Sequence, residues 1–161
     1  MRFFFMLENY LVTGMSSLQR DALAELILAQ PTLIDDLFRL VRSGTRVQRM
    51  KGAWVLSGIQ SKNSSVLQPY LVQIMQCVKT ESVGGVKREL LRCINPLNLT
   101  TDMNDQLTIL MLDWVTDDQQ DFAVRYLSYR LLKPLLSDFP ELQSELQERI
   151  LLFKSKFGRF P

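Results

Sequence analysis

One feature constrains this chain more than any other, a recurrence at thirty-eight residues. Val86-Lys87-Arg88-Glu89-Leu90-Leu91-Arg92-Cys93-Ile94-Asn95-Pro96 is followed at that spacing by Val124-Arg125-Tyr126-Leu127-Ser128-Tyr129-Arg130-Leu131-Leu132-Lys133-Pro134. Each run sets a Val before a base and closes on Pro. The same interval upstream lies Gln48-Arg49-Met50-Lys51-Gly52-Ala53-Trp54-Val55-Leu56, where the base, a small pair and an apolar pair coincide again. Bases at 49, 87 and 125 on one period mark a repeat array. A unit of this length cannot bury its apolar face alone, so the array folds by stacking neighbours.

Local signals divide the chain into helices. Residues 3–12 read as a first amphipathic helix with an aromatic inner face, ended at Thr13-Gly14. Ser16-Ser17 offers an N-cap, and Leu18, Ala22, Leu23, Leu26 and Ile27 follow at helical spacing. Pro31 suits the first turn of the next helix, striped by Leu33, Ile34, Leu37, Phe38 and Val41. Gly44 suits a left-handed C-terminal cap. Thr45 with Gln48 makes a capping box, and the helix to about Gln60 is apolar almost all round, as an inner helix of a stack would be.

A polar loop over 61–65 leads to a helix from Val66 with Pro69 in its first turns. Glu81-Ser82 precedes the Val86 helix, which Pro96 bends or ends. Thr101-Asp102 caps a helix carrying Leu107, Leu110, Met111 and Trp114, and Asp117-Asp118 places negative charge at the start of the Val124 helix. Pro140 opens a last helix with Leu142, Leu146, Ile150 and Phe153, and residues 154–161 read as frayed. The sum is nine helices, short connections and no strand. Short connections set neighbours antiparallel. The expected fold is all-α: a right-handed α-solenoid of about four antiparallel helix pairs in a single domain, 1–161, with a repeat core over 16–137 and closing helices at 3–12 and 140–156.

Composition removes several chemistries. The 161 residues contain no histidine, which excludes Ser-His-Asp and Cys-His nucleophile systems, His-ligated zinc and His as general acid or base. No carboxylate, Lys, Tyr or Cys falls in a catalytic motif, so no catalytic residue, cofactor or metal is expected. Cys77 and Cys93 lie in apolar helical patterns and read as buried reduced thiols, with a disulfide between neighbouring helices as the alternative. The apolar run after Met1 ends at Glu8-Asn9, too short for a signal sequence, and no stretch approaches the ~20 apolar residues of a membrane span. The default location is cytoplasmic.

The pattern resembles HEAT repeats and, less closely, armadillo repeats. Leu67-Gln68-Pro69-Tyr70-Leu71 is similar to the Leu-Leu-Pro-x-Leu core of a first HEAT helix, and Val124-Arg125-x-x-Ser128-x-x-x-Leu132 to the Val-Arg-x-x-Ala stretch of the second. Asp117, Asp118 and Asp121 occupy the turn where that family usually has its Asp. Lys87 departs from the Arg of the pattern, and Pro69 is the one first-helix Pro in place. The resemblance implies that each periodic base pairs with a turn carboxylate between repeats, and Asp121 stands one helical turn before Arg125. The other reading makes Arg49, Lys87 and Arg125 a row of bases on the concave face, spaced for phosphates or carboxylates.

Charge is segregated beyond the net +2. No acid falls between Asp36 and Glu81, a stretch that holds Arg39, Arg42, Arg46, Arg49, Lys51, Lys62 and Lys79. No base falls between Arg92 and Arg125, where six Asp stand. In a stack, sequence blocks become spatial blocks. The candidate binding surface is Arg39, Arg42, Arg46, Arg49, Lys51, Lys87 and Arg125, on a non-enzymatic module for an acidic protein or peptide, self-association included. The alternative is a nucleic-acid-binding protein related to HEAT-like glycosylases of alkylated DNA, with Trp54 and Trp114 as base-stacking candidates. Core packing is the competing role for both Trp.

Overall fold

A computed structural model describes residues 2–12, 14–94, 99–137 and 139–160, with side chains from residue 6 onward. The aromatic inner face expected of Phe3, Phe4 and Phe5 and the break expected at Pro96 lie outside the described residues. Within them the chain is all helical: α1 (Arg2–Val12), α2 (Ser17–Ala29), α3 (Leu33–Ser43), α4 (Arg46–Lys62), a 3-10 helix (Ser64–Tyr70), α5 (Leu71–Thr80), α6 (Gly84–Arg92), α7 (Thr101–Val115), α8 (Phe122–Leu135) and α9 (Pro140–Phe157). Contacts divide it into two compact units, Met1–Cys93 and Ile94–Pro161.

The helix starts follow from side chains competing for backbone N–H groups. Ser16 Oγ accepts from the Gln19 N–H at 3.3 Å while Gln19 Oε1 accepts from the Ser16 N–H at 2.8 Å, and Thr45 and Gln48 repeat the exchange at the same two distances. Gly44 departs from expectation. Its φ is −72°, extended rather than left-handed, and glycine is needed there for room, since a Cβ would sit 2.5 Å from the Leu40 carbonyl oxygen. Pro31 sits in the turn before α3, and Pro69 lies in the 3-10 helix that leads into α5.

In the first unit α4 is the hub, touched by α1, α2, α3, the 3-10 helix and α6. The stacking of α2, α4 and α6 beside the α3–α4 and α5–α6 pairs is the contact pattern of an α-solenoid. The stripe of α3 is buried as its spacing predicts, at Leu33, Ile34, Leu37, Phe38 and Val41. That of α2 is rotated: Leu23, Ala24 and Ile27 are buried, while Leu18 is 79% exposed and Leu26 also faces out.

Gly52, Ala53 and Gly58 of α4 are all buried, and close approach depends on the first of them. A Cβ on Gly52 would lie 2.8 Å from Val41 Cγ2 and 3.6 Å from Leu37 Cδ1. Val41 is β-branched and held at one rotamer in its helix, so it cannot swing aside.

In the second unit α7 packs along α8, burying Leu107, Met111, Trp114 and Val115 on one side and Val124, Leu131 and Leu132 on the other. Ser128, fully buried, donates to the Val124 carbonyl at 2.8 Å. The tail is ordered further than its composition predicts. Helix α9 runs to Phe157, Gly158 closes it at φ +79° with its N–H on the Lys154 carbonyl, and Phe160 meets Tyr129 and Phe153 edge-on.

Gly52→Leu should lower unfolding stability by about 1–3 kcal/mol through overpacking against Val41 and Leu37. Urea denaturation followed by circular dichroism measures it, and an unchanged midpoint would mean that the α3–α4 contact is looser than described.

Candidate functional site

The three periodic bases occupy one structural position. Arg49, Lys87 and Arg125 are each the fourth residue of their helix, and each donates its backbone N–H to the carbonyl of Thr45, Val83 or Asp121 just before the helix, at 2.9, 3.0 and 3.0 Å. Their side chains do not share one environment. Arg49 Nη1 donates to both oxygens of Glu81, at 2.9 and 3.2 Å. Glu81 Oε1 also accepts from the N–H groups of Ser82 and Val83, at 2.9 and 2.8 Å, and the side chain is only 5% exposed. That carboxylate stands where α6 begins, the end at which the helix dipole favours negative charge.

Lys87 is buried, 8% exposed. Arg125 lies in the other unit, its guanidinium 4.7 Å from the centroid of the Phe153 ring and its Nε buried without a hydrogen-bond partner among the described residues. The pair expected between Asp121 and Arg125 is not formed among those residues: Asp121 is exposed, and the cation lies against an aromatic face instead.

A second polar contact joins α4 to α6. Glu89, 2% exposed, accepts from Ser57 Oγ at 2.7 Å, Arg92 Nη1 at 2.9 Å and Arg88 Nε at 3.0 Å. Sequence reading missed both Glu81 and Glu89. The signal available for Glu81 was an acid closing a stretch whose charged residues are otherwise all bases.

The remaining candidate bases lie around the α3–α4 junction. Arg39 is exposed and 3.6 Å from Asp36, and Lys51 is half-buried. Arg42, in the last turn of α3, and Arg46, the first residue of α4, are exposed and have no ion-pair partner among the described residues. At Arg42 opens a groove of about 380 Å³, walled by Val41 and Arg42 of α3, Arg49 of α4, Gln76, Cys77 and Thr80 of α5, and Glu81. The first unit carries twelve bases and seven acids, a net +5; the second carries seven bases and ten acids, a net −3.

Both cysteines are free and buried. Burial pushes the Cys77 thiol up, with the Arg42 charge acting the other way, and burial pushes Cys93 up further. Trp114 is buried, and Trp54 is half-buried beneath the Arg20 guanidinium, 5.1 Å from its ring centroid. Among the described residues no three His, Cys, Asp or Glu side chains converge as metal ligands, and no helix is long and apolar enough to cross a membrane.

Glu81→Ala should lower stability by about 1–3 kcal/mol, because it strands the half-buried Arg49 cation and two N–H groups at the head of α6. Chemical denaturation measures the loss, and Glu81→Gln, which keeps an acceptor, should lose less. In the native protein, iodoacetamide should modify Cys77 before Cys93, read by peptide mass.

Comparison with known proteins adds one finding. A family model described as a HEAT repeat domain matches residues 7–157. No curated protein and no solved structure matches the chain.

Proposed function

We propose, from the premise that this chain belongs to the HEAT repeat domain family, that it is a protein-interaction module without catalytic activity of its own. HEAT repeats commonly mediate protein interactions. The observation that supports a specific surface here is the pair Arg42 and Arg46, exposed and without ion-pair partners on the unit of net positive charge. Bases held free in this way cost no internal ion pair when a partner arrives. Their complement is an acidic protein or peptide segment, steered by charge and sensitive to salt. Arg39 and Lys51 stand on the same two helices, α3 and α4; Arg49 is tied to Glu81 through Nη1 alone, and Lys87 is buried. The protein's place of action in this reading is the cytoplasm.

The glycosylase-like alternative has less support. Base stacking needs an exposed aromatic ring, and Trp114 is buried in the acidic unit, where phosphate is repelled.

Reversing both bases, Arg42→Glu with Arg46→Glu, should abolish or strongly weaken association with the acidic partner retained by the parent protein, leaving the circular dichroism melt unchanged. Raising salt from about 50 to about 300 mM should act in the same direction by screening. Titration with duplex DNA is the discriminating control: a log–log salt slope near −0.9 per phosphate contact, with unaltered protein binding in the double variant, would overturn the reading.

A further inference from the structure

We infer that the groove walled by α3, α4 and α5 is a carboxylate-binding subsite, which seats one Asp or Glu side chain of an acidic partner segment between Arg42 and Arg49, beside Cys77. The inference rests on the proposed function and names the chemistry of its contact. Four observations carry it.

Arg42 lines the groove, is exposed, and has no ion-pair partner among the described residues, so a full guanidinium fork is available there. Arg49 uses only Nη1 on Glu81, which leaves Nε and Nη2 without a side-chain partner among those residues. Planar forks of this kind match a carboxylate through two parallel hydrogen bonds. Glu81 does not fill the role itself, because its oxygens are held by Arg49 and by the N–H groups of Ser82 and Val83. Two guanidiniums against one engaged carboxylate leave one positive charge in the groove, the complement of one carboxylate.

Size and wall chemistry favour a protein ligand over a nucleic acid. At about 380 Å³ the groove suits a side chain with its adjoining backbone. Val41 and Cys77 supply apolar wall for the methylene stem of Asp or Glu. A nucleic-acid strand repeats its charge along its length and needs a row of free bases. On α3 and α4 outside the groove, Arg46 has no ion-pair partner among the described residues, whereas Arg39 is beside Asp36 and Lys51 is half-buried with a partner of its own.

The test uses the whole chain with three probes: a short fluorescein-labelled poly-Glu peptide, its poly-Gln counterpart, and an oligothymidylate of equal charge. Anisotropy reads binding, and iodoacetamide modification reads occupancy, with Cys77 in the groove wall and Cys93 as the internal reference. The expected result is binding of poly-Glu and not of poly-Gln. Arg42→Gln should weaken it about tenfold or more, the scale of a charged hydrogen bond. Gln76→Glu, which places a competing carboxylate on the groove wall, should weaken it too. Bound poly-Glu should slow modification of Cys77 several-fold and leave Cys93 unchanged.

If oligothymidylate binds as tightly as poly-Glu, the carboxylate assignment is overturned. If Arg46→Gln weakens poly-Glu but Arg42→Gln does not, and Cys77 stays unprotected, the subsite is overturned while the basic-face reading stands. If neither base affects poly-Glu or the acidic partner, both fall.

Discussion

Helix α4 is crowded on every side, and the first unit takes its form from that crowding. Five neighbouring elements reach one seventeen-residue helix, which buries Val55, Leu56 and Ile59 among them and narrows to a hydrogen or a methyl group at Gly52, Ala53 and Gly58. Gly52 admits Val41 and Leu37, Gly58 admits Ala24, and Ala53 is fully buried between them. Helix propensity argues against two glycines inside a helix, at about 1 kcal/mol each relative to Ala. They are offset by the apolar contact that closer axes allow, at roughly 25 cal/mol for each Å² removed from water. Packing decides the residue type here, against local preference.

Two buried carboxylates then set the register that apolar contact leaves open. Glu81 meets Arg49 and Glu89 meets Ser57, each pair thirty-two residues apart in sequence and the pairs eight residues apart along α4. Slipping α6 by one residue along α4 would break both together. Removing a carboxylate from water offsets much of what its pairing contributes, so such contacts define position more than they add stability. Arg49 and Arg42 both line one groove but differ in commitment: Arg49 is tied to the fold through Nη1, and Arg42 has no ion-pair partner among the described residues.

Much of this was legible in the chain, and the exceptions have identifiable causes. The N-cap at Ser16 and the capping box at Thr45 are local events within four residues and read correctly, while the reciprocal bond from Gln19 that completes a box at Ser16 was not foreseen. The α3 stripe read correctly because its apolar residues fall on one face only. Helix α2 carries leucines on two faces, so spacing could not choose, and the side that meets Gly58 is marked by Ala24, too small to stand out. The carboxylate partner of Arg49 was foreseen in kind, but Glu81 lies thirty-two residues away and only stacking brings it close. Arg125 and Asp121 met the spacing rule for a helical pair, yet Asp121 is the residue before the helix and is exposed, while the cation lies over Phe153. The groove itself had no sequence signature, since its walls come from three helices.

The equal spacing of helix starts at Arg46, Gly84 and Phe122 has an evolutionary reading. Each residue inserted or lost within a helix turns everything beyond it by about 100° around the axis. A gain or loss of a few residues inside α4 or α6 would therefore swing a buried face toward water, whereas excision of one whole thirty-eight-residue period returns a helix start to a helix start. Length variation among descendants of such a sequence would be expected to come in whole repeats, or in the polar loops between helices, with the bodies of the inner helices kept at constant length.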